Sequence, residues 1–395
     1  MTEDILIRDL REAEAYIEQM HPEGKWSRET ELNVKRAVAR VLEEQMNSQV
    51  DEYLAAIKAG GVDDRRNGSY RRHILTALGD IEVMVPRTRT FSPRLVVKAY
   101  ARRTKDVDRA ILACFVLGLS TRKVAEALLP MLGESVSAST VSRVAKVLDE
   151  AVSAFHNRPL SDRYRALLFD GVVLSRKTGA GAIKRPVLVA LGILPNGHKE
   201  VIDYRLARSE SQAEWEMFLS SLYSRGLTAQ GVTLIGVDGG KGLLAALPLV
   251  YYDIPVQRCW AHKSRNITDK VRKADRQAVR DDLRRIYMAK SRPHAIKAAR
   301  IFADRWNDIY PKAVRSLRND LDDLLTFFLF SDPTWRKLTR TTNAIERRFR
   351  EVKRRTRPMG VFSDRTSIDR ILFAVFAYEN KNQNIPTLFS MTQNS

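Results

Sequence analysis

Two periodicities alternate along the chain, and a change of architecture is expected wherever one gives way to the other. From Ile5 to about Met20 and from Ser27 to Lys58 apolar residues recur at near-helical intervals, with Leu32, Val38, Val41, Leu42 and Leu54 marking the second stretch. Pro22 and Gly24 break the pattern between them. A glycine- and arginine-rich segment, GGVDDRRNGSYRRH, then leads into ILTALGDIEVMVPRTRT, two β-branched runs about a Gly79-Asp80 turn that predict a hairpin. Asp106 to His156 returns to helical spacing in three pieces. Ser120 and Ser137 or Ser139 stand where N-caps are expected, and Gly118 and Gly133 where helices stop.

Beyond Arg163 the period becomes that of strands. YRALLFDGVVLSRK predicts one strand, and IKRPVLVALGILPNGHKEVIDYRL two more joined at Pro195-Asn196-Gly197. A helix with Trp215, Phe218, Leu219 and Leu222 on one side follows, then the strand VTLIGVDGG ending at Asp238, the helix KGLLAALPLV, and a strand from Ile254 to Cys259. Three hairpin-like strands followed by alternating helices and strands predict a mixed sheet with helices against it, an α/β layer architecture. This order resembles the ribonuclease-H-like fold. Residues 268–335 read as helical throughout, and Ile345, Phe349 and Val352 mark a last amphipathic helix.

Composition narrows the class. A chain of 395 residues, 44% hydrophobic and 29% charged, predicts two or three soluble globular domains. Its longest apolar run, Ile111 to Leu119, is about half the roughly 20 residues a membrane span needs. The N-terminus MTEDILIRDL has acids where a signal peptide carries basic residues, and Cys114 and Cys259 make no disulfide framework, so a reducing cytoplasm is expected. A net charge of +20 points to nucleic acid as the partner.

The excess is uneven. Residues 1–60 carry −5, 61–105 carry +7, 106–160 carry 0, 161–267 and 268–335 carry +5 each, and 336–395 carry +8. The +7 segment, with Arg65, Arg66, Arg71, Arg72, Arg87 and Arg89, reads either as a basic hairpin lying on a phosphate backbone or as an edge hairpin kept soluble by charge. In the neutral segment, a short helix, a tight turn and a polar helix start resemble a helix-turn-helix presenting Ser139, Thr140, Ser142 and Arg143 to a groove. A plain three-helix bundle fits the same pattern.

Three carboxylates stand out. Asp170 lies within an apolar strand, and Asp238 at the C-terminal end of another, where open α/β sheets place ligands. A buried ionised carboxylate is unfavourable unless paired or metal-bound, so two in one sheet suggest ligands of a hard divalent cation; Asp-Gly turns are the plainer reading. Glu346 follows in the last amphipathic helix. Asn343 to Glu346 resembles a capping box, worth about 1 kcal/mol and no chemistry. Against that stand the ten basic residues between Arg336 and Arg357, with Arg350 and Lys353 close to the face of Glu346.

LLFDGV, GVDGGKGLLAAL, IPVQRCWAHKSRNI and RTTNAIERRFREVKRRTRPMGVF resemble, in order and spacing, the Mutator-type bacterial insertion-sequence DDE transposases. RRNGSYRRHILTALGDIEVMVPRTR and LGLSTRKVAEAL look like the family's N-terminal portion. The resemblance implies a ribonuclease-H-like core, a mixed five-stranded sheet with helices, spanning 161–267 and 336–395 and interrupted by an all-helical insertion at 268–335. Before it come a helical region for assembly or DNA-end binding (1–60), the basic hairpin (61–105) and the three-helix segment (106–160). Asp170, Asp238 and Glu346 would form the metal-binding triad for two Mg²⁺ ions, for which Mn²⁺ can stand in. Cys259 and His262 match a Cys-x-x-His element of such enzymes. They lack the further ligands a zinc site needs, so His262 is expected as an auxiliary group near the scissile phosphate. Arg258, Lys263, Arg265, Arg347, Arg350, Lys353, Arg354, Arg355 and Arg357 would contact backbone, and Trp260 would either stack on a base or lie in the core.

The implied activity is DNA transposition in the bacterial cytoplasm, in association with the nucleoid. The protein would bind the terminal inverted repeats of its element and target DNA as a homodimer or larger assembly, cut a strand with metal-activated water, and join the freed 3′-hydroxyl to a second phosphodiester. A catalytically inactive DNA-binding regulator, or a nuclease of the same fold, are the alternatives.

Overall fold

Alternation along residues 66–88 places Ile81, Val83 and Val85 on one face, and this face is what the first helix covers. In the computed structural model, which describes residues 28–61, 63–91, 93, 103–116, 119–132, 136–178, 181–356 and 365–381, β1 (Arg66–Thr76) and β2 (Gly79–Thr88) pair antiparallel with Ile74 opposite Ile81. Helix α1 (Arg28–Ala59) lays Leu42 and Met46 on that face, closing a small core with Ile74, Ile81, Val83 and Val85. The turn is Ala77-Leu78, two residues before the expected Gly79-Asp80. Gly79 starts β2 at φ +93°, and the Thr76 hydroxyl closes the loop by donating to Gly79 O and accepting from Leu78 N. Glycine supplies the positive φ here, as the first residue after the turn. The expected helix at Ile5 to Met20 and the stops Gly118 and Gly133 lie outside the described residues.

Helices α2 (Lys105–Val116), α3 (Thr121–Leu132) and α4 (Ala138–Ala145) follow. Ser137 is the cap of α4, its Oγ accepting from Thr140 N at 3.2 Å. The long third helix expected to run to Phe155 is interrupted: Asp149 N bonds Lys146 O in a tight turn, and α5 (Leu148–Asn157) starts anew. The chain divides there, one compact unit comprising Met1–Phe115 with Thr121–Val144 and the other Val116–Ser120 with Ala145–Ser395.

The second unit is built on a five-stranded sheet of order β5-β4-β3-β6-β7. β3 (Ala166–Thr178), β4 (Gly181–Ile193) and β5 (Lys199–Leu206) form an antiparallel meander, while β6 (Leu234–Val237) and β7 (Val256–Arg258) run parallel to β3. The central strands are apolar on both faces because both are covered. Leu167, Phe169, Leu188 and Ile235 pack against α6 (Gln212–Ser224) and α7 (Lys241–Val250) through Trp215, Phe218, Leu219 and Leu243. β3 is also contacted by α14 (Asn343–Thr356), and β5 by α15 (Arg365–Lys381).

After β7 comes α8 (Trp260–Thr268), then α9 (Arg276–Tyr287), α10 (Arg292–Trp306), α11 (Pro311–Asn319), α12 (Leu321–Leu324) and α13 (Pro333–Thr339), with no strand between residues 268 and 335. This helical segment is fastened to the sheet edge by buried polar contacts. Gln257 accepts from Phe327 N at 2.6 Å and donates to Leu324 O at 3.0 Å, and Asp320 pairs with Arg258 and Lys263. No helix among the described residues is long and apolar enough to cross a membrane.

Candidate active site

Parallel pairing of β3 with β6 sets Phe169 opposite Val237, so the next residue on each strand, Asp170 and Asp238, arrives at the same level. Asp170 is 2% exposed. Burial, then the charge of Asp238, and more weakly that of Glu346, push its carboxyl up to about 7, with His262 and Thr342 opposing. Its Oδ2 is buried with no hydrogen-bond partner among the described residues. Such an orphaned acceptor costs roughly 1–3 kcal/mol, more if charged, so the fold keeps it at a loss. Asp238 is held by its own turn: Gly240 N donates to its Oδ1 at 2.9 Å. Gly239 at φ +97° makes that turn possible, and a Cβ there would also lie 2.7 Å from the Arg258 guanidinium.

Glu346 enters from α14. The capping box does not form, since Asn343 Oδ1 is buried without a partner among the described residues, and the Glu346 carboxylate is turned to His262 Nε2 at 3.3 Å, with Arg265 at 3.9 Å. His262 sits one turn after Cys259. The thiol raises the imidazole to about 9, burial opposes, and Asp170 and Glu346 add to the rise. Cys259 accepts from Thr342 N at 3.3 Å, so the Cys-x-x-His element ties α8 to the start of the glutamate helix. Asp170, His262 and Glu346 line one cleft of about 580 Å³, together with Asn343, Arg347, Arg350 and Lys353. Among the described residues no three Asp, Glu, His or Cys side chains stand close enough together to enclose a metal ion.

A fourth carboxylate escapes sequence reasoning. Glu210, just before the cap of α6, lies against Gly171, where a Cβ would come within 2.8 Å of its Cδ. Burial and then Asp238 raise its pKa. The bare glycine after Asp170 is the only sequence signal of that approach.

Several expected DNA contacts belong to the fold instead. Trp260 is 1% exposed and donates its Nε1 to Leu324 O at 2.7 Å, so it cannot stack on a base. Lys263 is buried and, like Arg258, is matched by Asp320, which removes both from phosphate binding. Buried charges need a partner, and here the helical segment supplies it. In the first unit Arg66 pairs with Asp51 at 2.7 Å and Arg71 with Glu82 at 3.0 Å, and Arg87 donates to Asn67 O at 3.1 Å, all three at the exposed surface, where such contacts hold a side chain only weakly. Arg65 and Arg89 are exposed and Arg72 half-buried, as on α4 are Ser139 and Arg143, exposed, and Thr140, half-buried. Arg265, Arg347, Arg350 and Lys353 stay exposed around the cleft, and Arg354 pairs with Glu351 at 3.0 Å. Arg357 and the side chain of Arg355 lie outside the described residues.

Comparison with known proteins bears on this site. The family described as "Transposase, Mutator family" matches residues 12–384. The transposase for insertion sequence element IS905 of Lactococcus lactis is 35% identical over 81% of this chain and 81% of its own length. That for IS1201 of Lactobacillus helveticus is 32% identical over 86% and 91%, and that for IS256 in transposon Tn4001 of Staphylococcus aureus 31% over 86% and 88%. Among solved structures, the Drosophila P element transposase strand transfer complex aligns over 73% of this chain and 80% of that one, at 10% identity and a TM-score of 0.31, too slight to argue from. The family match spans the hairpin, the sheet and the helix that carries Glu346: this chain belongs to the Mutator family of transposases.

Proposed function

We propose that Asp170, Asp238 and Glu346 are the catalytic carboxylates of a DNA strand-cleaving and strand-joining site that works with Mg²⁺. The observation that carries this reading is the buried Asp170 Oδ2, left without a partner among the described residues while Asp238 and Glu346 add charge of the same sign. The donor chemistry is that of a hard cation, carboxylate oxygens at adjacent strand ends with a third carboxylate on a helix contacting β3, although the described side chains do not close around an ion. Such a cation, when bound, activates an attacking oxygen and stabilises a leaving one.

The remaining roles belong to the chain's own side chains. His262 orients Glu346 through its Nε2. Arg347, Arg350 and Lys353 line the same cleft and supply positive charge for the phosphates flanking the scissile bond. Water attacks that phosphodiester, breaking the P–O3′ bond and freeing a 3′-hydroxyl, which then attacks a phosphodiester of a second DNA and expels its 3′-oxygen. In this reading the five-stranded unit is a ribonuclease-H-like core, residues 268–335 are its helical insertion, and the DNA ends are the inverted repeats of the chain's own element, held by a dimer or larger assembly. Asp170→Asn and Asp238→Asn are expected to abolish cleavage of element-end DNA in Mg²⁺ with end binding intact, and Glu346→Gln to do the same. Retained cleavage in either aspartate variant removes the triad. Offering a pre-cut 3′-hydroxyl end and a target plasmid then separates a transposase, which joins them, from a nuclease, which does not.

A further inference from the structure

Helix α8 serves two clefts. His262 lines the one that holds Asp170 and Glu346, while Ala261, Ser264, Arg265 and Thr268, at i, i+3, i+4 and i+7, line a second and larger one of about 720 Å³. Asn343 and Arg347 line both, so the two are joined along α14. The charged lining of the second cleft is Lys199, Arg265, Arg280, Lys337, Arg340 and Arg347, with no aspartate or glutamate among the described lining residues.

Gathering cations in a concave place is unfavourable unless an anion answers them. Elsewhere in this unit the chain provides one, as Asp320 does for Arg258 and Lys263. In the second cleft it does not do so for Arg340, which is half-buried, lies over the Tyr287 ring at 5.2 Å, and donates to Tyr287 O and Met288 S rather than to a carboxylate. Burial lowers the pKa of Arg340, Tyr287 opposes, and Arg284 lowers it further. Lys199 is lowered by burial and then by Arg348 and Arg347. The donors that face the cleft are guanidinium, ammonium and hydroxyl groups, Ser264, Thr334 and Thr341 among them. These are groups that hold phosphates; of the amide side chains that read base edges, only Asn343 lines it among the described residues.

Resting on the reading of the neighbouring carboxylates as the DNA-cutting site, we propose that this second cleft binds the phosphate backbone of DNA that runs on from the scissile position, and does so irrespective of sequence. Flanking or target DNA, which has no fixed sequence, is its occupant; the element's own repeats, which must be read base by base, are not.

The test is binding by the full chain in EDTA to two labelled duplexes of unrelated arbitrary sequence, followed between roughly 50 and 200 mM salt. Arg280→Gln/Lys337→Gln/Arg340→Gln is expected to lower the slope of log affinity against log salt by about 2 to 3, equally on both duplexes, since each phosphate contact contributes about 0.7–0.9. The exposed pair Arg280→Gln/Lys337→Gln, which leaves the Arg340 packing untouched, is expected to lower it by about 2. Arg280→Lys/Arg340→Lys keeps the charge and is expected to keep the slope. An unchanged slope in the glutamine variants, or a loss confined to one of the two sequences, overturns the proposal. With no metal and no cleavage in the assay, that result leaves the carboxylate triad standing, and an active Asp170→Asn enzyme would remove the triad without altering the slope.

Discussion

Two charged clusters lie inside the C-terminal unit on opposite terms. Around Asp203, 3% exposed, the charges are answered: it accepts from His156 Nδ1 at 2.7 Å, from Arg225 and from Tyr204 N, and Asp369 lies 3.6 Å from His156 Nε2. Around Asp170, equally buried, the nearest charged groups include two further carboxylates, and one oxygen has no partner among the described residues. The first cluster joins α5, β5, α6 and α15 and serves the fold. The second gathers like charges that His262 opposes only in part, which is what the proposed cation would answer. Burial of an acid is therefore not by itself a sign of function; what distinguishes the two is whether the chain supplies the matching charge.

Removing one member of each cluster breaks the comparison most sharply. Asp203→Ala leaves the half-buried Arg225 without its carboxylate and His156 with Asp369 alone, and is expected to lower the free energy of unfolding by about 3–5 kcal/mol in urea titrations. Asp170→Asn is expected to do the reverse in metal-free buffer, raising it by about 1–3 kcal/mol at pH 8. With a folded pKa of about 7 against 3.8 unfolded, Asp170 is destabilising in full above pH 7. The gain from asparagine should shrink as pH falls and vanish below about 4. A loss of stability in both variants would erase the distinction.

His156 gives a smaller effect with its own pH signature. Burial lowers its pKa, but Asp203 and Asp369 more than offset this and hold it at about 9, against 6.5 unfolded. Its stabilisation is full below pH 6.5 and is lost as pH rises through 9, so unfolding free energy should drop by about 1–3 kcal/mol across that window and the drop should disappear in His156→Gln. A wild-type profile that is flat there would contradict the pairing. Smallest is Trp260→Phe, which forfeits the bond to Leu324 O: about 1 kcal/mol of stability with DNA affinity unchanged. Weakened DNA binding at full stability would return Trp260 to the interface.

The sheet was legible because periods of two and 3.6 are local properties, and β3 to β7 fall where strand-like runs stand in the sequence. Asp170 and Asp238 were legible because a charged residue inside or at the end of an apolar strand is a local anomaly. What stayed hidden depends on contacts far apart along the chain. Arginine-rich stretches look alike whether a residue meets phosphate or Asp320, which lies 62 residues from Arg258 and 57 from Lys263. The hairpin turn slipped by two residues because Gly79-Asp80 is a stronger turn signal than Ala77-Leu78, yet Thr76 pairs with Gly79 and closes the loop before it. Glu346 admitted two readings, a cap by its spacing from Asn343 and a third carboxylate of the site; only the fold shows it turned to His262.

The central claim, that the Asp170 cluster awaits a cation while the Asp203 cluster is complete, is tested most directly by the melting temperature of the metal-stripped full chain titrated with Mg²⁺. A ligand that binds only the folded state stabilises it by an amount that grows as the logarithm of one plus its concentration over its Kd, and the melting temperature rises with it. Wild type and Asp203→Asn should both gain with added Mg²⁺, and Asp170→Asn should not. A gain of the same size in Asp170→Asn, or none in wild type, would contradict it.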